Sequence, residues 1–362
     1  MATASLKSPS RIAYSGLCRS YTSKLKEIHM ATINPQDLHA LVHRALVKVG
    51  ASATAAQSTA TALIYADQQG TASHGVSRVP QYVGHMKAGR IDGAATPVIA
   101  KQHGAVAIID AADGLAFPAC ELAIQTAIAA AKTHGIGVAS VTNSYHFGAA
   151  IYHLEAVAKA AMMGLAFSNS PAAIAPWGGG KPLFGTNPIA AIFPRENADP
   201  LAIDLALSEV ARGKLMVAAK DGKAIPLGWA MDEQGQPTTD PAKGLKGSMA
   251  PAGGVKGAML ALTVELLVTA LSGARFGFEA DSFFDVQGNK PRIGQLFLVI
   301  NPGALGGANV FAERVETLVH AMLEDGGVRL PGARRYANAN KAMRDGVTVP
   351  DALFAQLQTL VA

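Results

Sequence analysis

Apolar side chains recur every three to four positions at Leu38, Leu41, Val42, Ala45, Leu46 and Val49, which predicts an amphipathic helix. Asn34-Pro35-Gln36-Asp37 opens it with an N-cap, a first-turn proline and an acid suited to the helix dipole, and Gly50 stops it. A second helix is expected from an N-cap at Ser52 to about Gln69, closed by Gly70. A third is expected to be capped by Ser77, with Pro80 in its first turn and its end near Gly89. Short strands follow at Val106–Ile109 and Gly137–Thr142, flanking a helix over Ala119–Thr133. SYHFGAAIYHLEAVAKAAMMG (144–164) reads as the end of a strand, a turn and a helix, with Asn143 or Ser144 as cap and Gly164 as stop.

The pattern then changes. LAFSNS, the loop PWGGGKPLFGTN, PIAAIFP and LAIDLAL read as strand, long loop, strand and strand, and adjacent strands with no helix between them predict antiparallel or mixed pairing. No GxGxxG turn is present: the nearest approach, Gly135-Ile-Gly137, has Ser140 in the third glycine position. Gly180-Lys181 is followed by Pro182, so it is no Walker loop. The remainder reads as a helix over 209–220, a polar connection, a helix over 258–271, a strand at 296–300, a helix over 312–324, and the basic turn RLPGARRY (329–336) before the last helices.

With 362 residues, 49% hydrophobic and 16% charged, the chain has material for a large buried core. Its most apolar stretch, Gly257–Gly273, carries Glu265 and reads as a buried helix, so no membrane span is expected. Two cysteines, Cys18 and Cys120, make neither a disulfide framework nor a metal site, which fits a reducing compartment and a cytoplasmic location. The net charge of +5 is misleading. Lys7, Arg11, Arg19, Lys24 and Lys26 against Glu27 put most of it in residues 1–29, so a nucleic-acid partner is not expected. That segment is Ser-rich and acid-poor like a transit peptide; a start at Met30, just ahead of the first helix, is the favoured alternative.

ASHGVSR (72–78) gathers a hydroxyl, an imidazole and a guanidinium at the joint between two helices. It is either a polar turn or a site that delivers a proton and grips a carboxylate. Gly-rich elements at 144–149, 177–187 and 251–257 sit at expected helix starts or strand ends, where backbone N–H groups can hold a pyrophosphate. His146 and Lys256 add polar groups there, and Arg329, Arg334 and Arg335 offer an anchor for an adenosine phosphate. Asp204 interrupts an apolar strand; it either pairs with a histidine, fixing its tautomer, or caps the following loop or helix. His39/His43 and His146/His153 have helical spacing but no acid or cysteine set beside them, so no metal is expected.

Taken in order, ASHGVSR, SYHFGAA, NSPAAIAPWGGGKPLFGTNPIA, LAIDLALSEVARGK, PAGGVKG and RLPGARRY resemble the malate/L-lactate dehydrogenase-like family over roughly residues 32–350. Within that family the chain looks most like the delta-1-piperideine-2-carboxylate / delta-1-pyrroline-2-carboxylate reductases, through PLFGTNPIA, the spacing to Asp204 and the LPG-x-RRY ending. The resemblance implies an α/β fold whose nucleotide-binding domain is non-Rossmann with a mixed, largely antiparallel sheet, flanked by helical N- and C-terminal segments. It divides the chain into a helical substrate region (30–118), a nucleotide-binding domain (119–270) and a C-terminal region (271–362), in a homodimer with sites near the subunit interface. It implies NADPH, with NADH as the alternative. His74 would be the proton donor, Ser73 and Asp204 its relay, and Arg78 the carboxylate ligand. The cofactor would contact His146, Phe147, Gly148, Ala149, Ala150, Gly185, Thr186, Asn187, Lys256, Arg329, Arg334 and Arg335. Two positions depart from the reductase pattern: Ala172 stands where a threonine is expected in the substrate pocket, and Val255 where a histidine is expected. The implied reaction is reduction of a cyclic imino acid to L-pipecolate or L-proline, with a 2-hydroxyacid dehydrogenase of the same family as the alternative. A non-catalytic nucleotide-binding protein would not need to keep Ser73, His74, Arg78 and Asp204 together.

Overall fold

A computed structural model of the chain describes residues 29–362. The expectations for the basic N-terminal segment, and Cys18, therefore lie outside the described residues, except for His29. Strand β1 (Met30–Ile33) leads into α1 (Pro35–Lys48) and α2 (Ala53–Gln68). Both starts are capped as the sequence predicts: Asn34 Oδ1 accepts from the Gln36 amide at 2.8 Å and Ser52 Oγ from the Ala55 amide at 3.2 Å. Helix α3 (Val79–Lys87) carries Pro80 in its first turn, but Ser77 is not its cap. Strands β2 (Val98–His103) and β3 (Val106–Asp110), helix α4 (Ala116–His134), strand β4 (Ile136–Ser144), helix α5 (Ala150–Lys159) and strands β5 (Met163–Ser168), β6 (Ile189–Arg195) and β7 (Ala198–Leu205) follow.

Two boundaries differ from the sequence reading. Strand β4 runs on through Asn143 and Ser144, so neither caps α5, whose N-cap position is Ala149. Helix α5 ends at Lys159, and Gly164 lies inside β5, where Leu154 and Val157 of the helix would press on any Cβ at 3.1 Å. A glycine read as a stop is there for close helix-on-strand packing.

Beyond β7 lie α6 (Arg212–Lys220), the short strands β8 (Ala230–Met231) and β9 (Pro237–Thr238), α7 (Pro241–Lys246), β10 (Ser248–Met249) and α8 (Val255–Thr269). Strand β11 (Ile293–Ile300), α9 (Ala308–Leu323), α10 (Ala333–Asp345), β12 (Val347–Pro350) and α11 (Asp351–Val361) complete the chain.

The central sheet has the order β2-β3-β4-β11-β5-β6-β7. Only β3 and β4 run parallel; every other neighbouring pair is antiparallel, so the sheet is mixed and mostly antiparallel. It draws strands from all three segments expected above, so neither position 118 nor position 270 divides it into independent units. Helices α4 and α5 cover one face through Cys120, Ile124, Ile151 and Leu154, while α8 covers the other through Ala261, Val264 and Val268. A separate core joins α1, α2 and α3 to the C-terminal Ala342, Val347, Val349 and Leu357. Strand β12 pairs with β1, tying the two ends of the described chain together.

Candidate active site

The chain leaves α2 through two single 3-10 turns, Ala72–His74 and Val76–Arg78. Asp67, in the last turn of α2, fixes this path by accepting the Val76 amide at 2.7 Å. Gly75 lies so close to that carboxylate that a Cβ would sit 2.1 Å from Oδ1, which requires glycine there. Ser77 Oγ donates to the Ala72 carbonyl at 2.6 Å, so it closes the turn and does not cap α3. Arg78 Nε donates to the Ser73 carbonyl at 2.7 Å, and Ser73 Oγ is 3.0 Å from His74 Nδ1. The turn thus brings together Ser73, His74 and Arg78 without placing them on one helix face.

Burial, then the Arg78 and Arg335 charges, push the half-buried His74 imidazole down to about 4, so it is neutral at pH 7. Its ring stacks on that of His146 with centroids 5.5 Å apart. His146 is itself held by the Tyr82 hydroxyl, 2.7 Å from Nδ1, and burial keeps it neutral. Arg78 Nη1 donates to Gln81 Oε1 at 2.8 Å, and Gln81 Nε2 donates to the Tyr145 hydroxyl at 3.0 Å. The Arg78 guanidinium lies over the Phe284 ring, 5.6 Å from its centroid. Among the described residues no carboxylate comes within ion-pair distance of Arg78. It faces a cavity of about 480 Å³ lined also by Ser73, Gln81, Met216, Phe283 and Val286. A larger cavity of about 840 Å³ lies between α1, α2, α4, α5 and α10, around Tyr65, Glu121 and Glu155. Glu155 there accepts from the hydroxyls of Tyr65 and Tyr336; His39, His153 and Lys159 also line this cavity, but Ser73, His74 and Arg78 do not.

Asp204 is placed differently from a direct partner of His74. Its carboxylate is 3.5 Å from Arg335 and lies near the Ile151 amide in the first turn of α5, while burial raises its pKa. Arg335 also donates to Thr71 Oγ1 at 3.1 Å, just ahead of ASHGVSR. Asp204 therefore reaches the histidine turn through Arg335. These contacts are with α10 and with α5, which precedes it in the chain, not with the loop or helix that follows β7.

The motifs predicted to hold a cofactor fall at helix starts with no side-chain cap: α5 after His146-Phe147-Gly148-Ala149, α8 after Gly254, and α10 after Gly332. Free N–H groups at such ends suit the anionic diphosphate of a dinucleotide. The end of β7 links the three, since Asp204 meets the starts of α5 and α10 while the Leu207 carbonyl accepts the Ala252 amide before α8. Lys256, Arg329 and Arg334 are exposed and uncommitted, whereas Arg335 is tied to Thr71 and Asp204. These groups fit an NADP-type ligand. Asn187 does not turn towards it: fully buried, it donates to Glu265 Oε2 at 2.7 Å and to the Ala261 carbonyl at 2.9 Å. Glu265 also takes the Gly277 amide and Asn169 Nδ2, locking the loop that carries Gly185 and Thr186. Ala172 donates its amide to the Gly277 carbonyl at 2.9 Å, beside that same lock.

Three elements of the site have no signature in the sequence. Phe283 and Phe284 read as ordinary apolar residues in a loop. Arg90, 1% exposed, donates to the carbonyls of Asp281, Ser282, Asp285 and Asn289 and so pins the loop that carries them. Arg212, at the start of α6, has its guanidinium 5.7 Å from the same Phe284 centroid. An arginine in a GRIDG stretch gives no hint that it will be buried.

With this geometry in hand, similarity to known proteins is specific. The profile of the malate/L-lactate dehydrogenase family matches residues 33–358. The chain is 45% identical over 328 residues to a (2R)-3-sulfolactate dehydrogenase (NADP(+)) of Chromohalobacter salexigens, covering 90% of this chain and 97% of that one. It is 38% identical over 326 residues to a delta(1)-pyrroline-2-carboxylate/delta(1)-piperideine-2-carboxylate reductase of Pseudomonas putida, covering 90% and 95%. The solved structure of delta1-piperideine-2-carboxylate reductase from Pseudomonas syringae pv. tomato superposes with a TM-score of 0.86 at 36% identity, covering 91% of this chain and 99% of that one.

Proposed function

The chain belongs to the malate/L-lactate dehydrogenase family, and we propose that it is a nicotinamide-dependent oxidoreductase acting at carbon 2 of a small carboxylic acid. The observation that carries this reading is Arg78, a desolvated guanidinium that lines one cavity and has no carboxylate partner among the described residues, on the same turn as the neutral imidazole of His74. A desolvated cation of this kind is completed by an anionic ligand, and a carboxylate matches its fork.

Arg78, held at Nε and Nη1 by Ser73 and Gln81, orients the substrate carboxylate and hence carbon 2. His74, with Nδ1 against Ser73 Oγ, offers its other ring nitrogen to the oxygen or nitrogen on carbon 2. In oxidation the neutral ring takes the hydroxyl proton as the C2–H hydrogen leaves with its electron pair. In reduction carbon 2 gains a hydride, the C=O or C=N π bond opens onto the heteroatom, and His74 returns the proton there. When bound, the nicotinamide supplies or accepts that hydride. Arg335 and Asp204 position the turn from behind. The diphosphate is assigned to the starts of α5, α8 and α10. Lys256, Arg329 and Arg334 are the candidates for the 2′-phosphate, hence NADPH before NADH, in a nucleotide site built without a GxGxxG turn. A homodimer belongs to the same proposal.

The sequence alone places a cyclic imino acid first. We now place the 2-oxo/2-hydroxy acid pair first, because the 45% identical relative is a hydroxyacid dehydrogenase. The imino acid remains as a second reading, supported by the reductase relatives. Oxidation of NADPH, followed by its near-ultraviolet absorbance, is the test, with oxaloacetate, sulfopyruvate, pyruvate and the two cyclic imino acids as substrates. Turnover of the 2-oxo acids is the expected result. Turnover of imino acids alone reverses the order, and no turnover of either class with NADPH or NADH sinks the assignment.

A further inference from the structure

The 840 Å³ cavity between α1, α2, α4, α5 and α10 has a chemistry of its own. Its walls carry two half-buried carboxylates on packed helices, Glu121 of α4 and Glu155 of α5. Ser58 Oγ donates to Glu121 Oε1 at 2.6 Å. The Tyr65 and Tyr336 hydroxyls both donate to Glu155 Oε1, at 2.5 and 3.1 Å. Burial and the Glu155 charge raise both phenols, so they stay protonated and remain donors. Among the described residues nothing donates to Oε2 of either carboxylate, and neither forms an ion pair.

His153 supplies a third unpaired acceptor. It lines the same cavity, is 4% exposed, and has Nε2 2.8 Å from the Phe147 carbonyl. A carbonyl only accepts, so Nε2 carries the proton and Nδ1 is left as a lone pair. Burial pushes the ring down to about 4, so it stays neutral at pH 7, and nothing among the described residues donates to Nδ1. Burial holds His39 neutral as well. The cation on the wall is the exposed Lys159, which lies beyond ion-pair distance of both carboxylates. Beside these groups the Tyr65 and Tyr152 rings pack edge to face with centroids 5.1 Å apart. Glu121, His153 and Glu155 all lie outside the stretches through which the chain resembles its family.

The three unpaired groups are all acceptors, so their complement is a donor. Two of them carry like charge, so the complement is a cation. We propose that this cavity is a second ligand site, separate from the catalytic turn, that binds a primary alkylammonium. Such a group has three N–H donors to set against Glu121 Oε2, Glu155 Oε2 and His153 Nδ1. Its charge offsets the carboxylates, and its hydrocarbon body lies along Tyr65, Tyr152 and Ile124, where the ring faces also favour a cation. An alkyl carboxylate would meet like charge there, and an alcohol would leave the carboxylates unanswered. The volume suits a small organic ligand.

Calorimetric titration of the full-length protein at neutral pH with n-hexylamine, 1-hexanol and hexanoate tests this. One hexylamine per chain is expected, bound at least about tenfold tighter than either of the others. Glu155→Gln keeps an oxygen for the two tyrosine hydroxyls and should weaken hexylamine about tenfold while hexanol changes less than about twofold. Glu121→Gln should act in the same direction. Lys159→Met removes a like charge and should tighten hexylamine about threefold, a gain that a purely structural role would not produce. Ala156→Phe fills the cavity with both carboxylates in place and should abolish binding. An unchanged melting temperature reports that each variant is folded; if one glutamate variant unfolds, the other and Lys159→Met decide. Hexylamine binding no tighter than hexanol, or undisturbed by the folded glutamate variants or by Ala156→Phe, overturns the inference. These titrations need neither cofactor nor turnover, so they stand or fall independently of the catalytic reading.

Discussion

His74 shows how far a single residue's chemistry can be argued. A histidine whose folded pKa is pushed down to about 4 stays neutral through the physiological range. It loses its capacity to accept a proton only as the pH falls through that lowered value. For hydroxyacid oxidation, the acid limb of kcat/KM should therefore lie well below the ordinary histidine value of 6.5. A limb near 6.5 would show that neither burial nor the Arg78 and Arg335 charges act on the ring. Replacing His74 with Ala should lower kcat by about 10²- to 10⁴-fold while NADPH binding, followed by fluorescence, is retained. Unchanged turnover would remove His74 from the mechanism. ASHGVSR was legible because it condenses three reactive groups into one turn. Arg212 was not, because an arginine opening a helix looks like any solvated charge until the ring it shares is known.

At the scale of elements, the joint between α2 and α3 depends on one carboxylate under a glycine. Burial raises Asp67 to about 7, with only the Val76 amide opposing it. Because the folded state keeps the proton to a higher pH than the unfolded chain, this group makes stability fall as pH rises from about 4 to about 7. Asp67→Asn retains a carbonyl for the Val76 amide and removes the titration. Urea unfolding should show the variant gaining on the parent across that window, and parallel curves would mean that Asp67 stays ionised. Gly75→Ala, which forces a methyl into the Asp67 carboxylate, should cost about 3 kcal/mol and disorder the site. Elements with strong local signals, such as the caps at Asn34 and Ser52, were readable in the sequence. The start of α5 was not, because its N-cap position, Ala149, carries no capping side chain and β4 runs on through Asn143 and Ser144. Strand β2 was also missed, since it is exposed along its length and has no apolar face to betray it.

The whole molecule enters through Arg90. The cavity is assembled from three stretches distant in sequence: the turn at 73–85, the start of α6, and the loop at 283–286. Nothing in the local pattern of any one announces the other two. Arg90, which follows α3, reaches across to the third and donates to five carbonyls of residues 281–289, while its Nη1 lies 3.3 Å from His85 Nε2. The Arg90 charge and, above all, burial push His85 down to about 4. His85 in turn meets the Tyr145 hydroxyl, which receives the bond from Gln81 that steadies Arg78. One buried cation thus couples the loop bearing Phe283 and Phe284 to the carboxylate-binding side chain. Arg90→Met keeps much of the volume but leaves those carbonyls without a donor, so it should destabilise the protein by roughly 3 kcal/mol. Because the loop sets the aromatic wall and not the proton carrier, KM for the acid should rise about tenfold or more, with a smaller change in kcat. Affinity for NADPH should stay within about twofold, since the residues assigned to it lie at the starts of α5, α8 and α10. A loss of kcat alone, or of NADPH affinity alone, would show that Arg90 acts on the molecule by some route other than this loop.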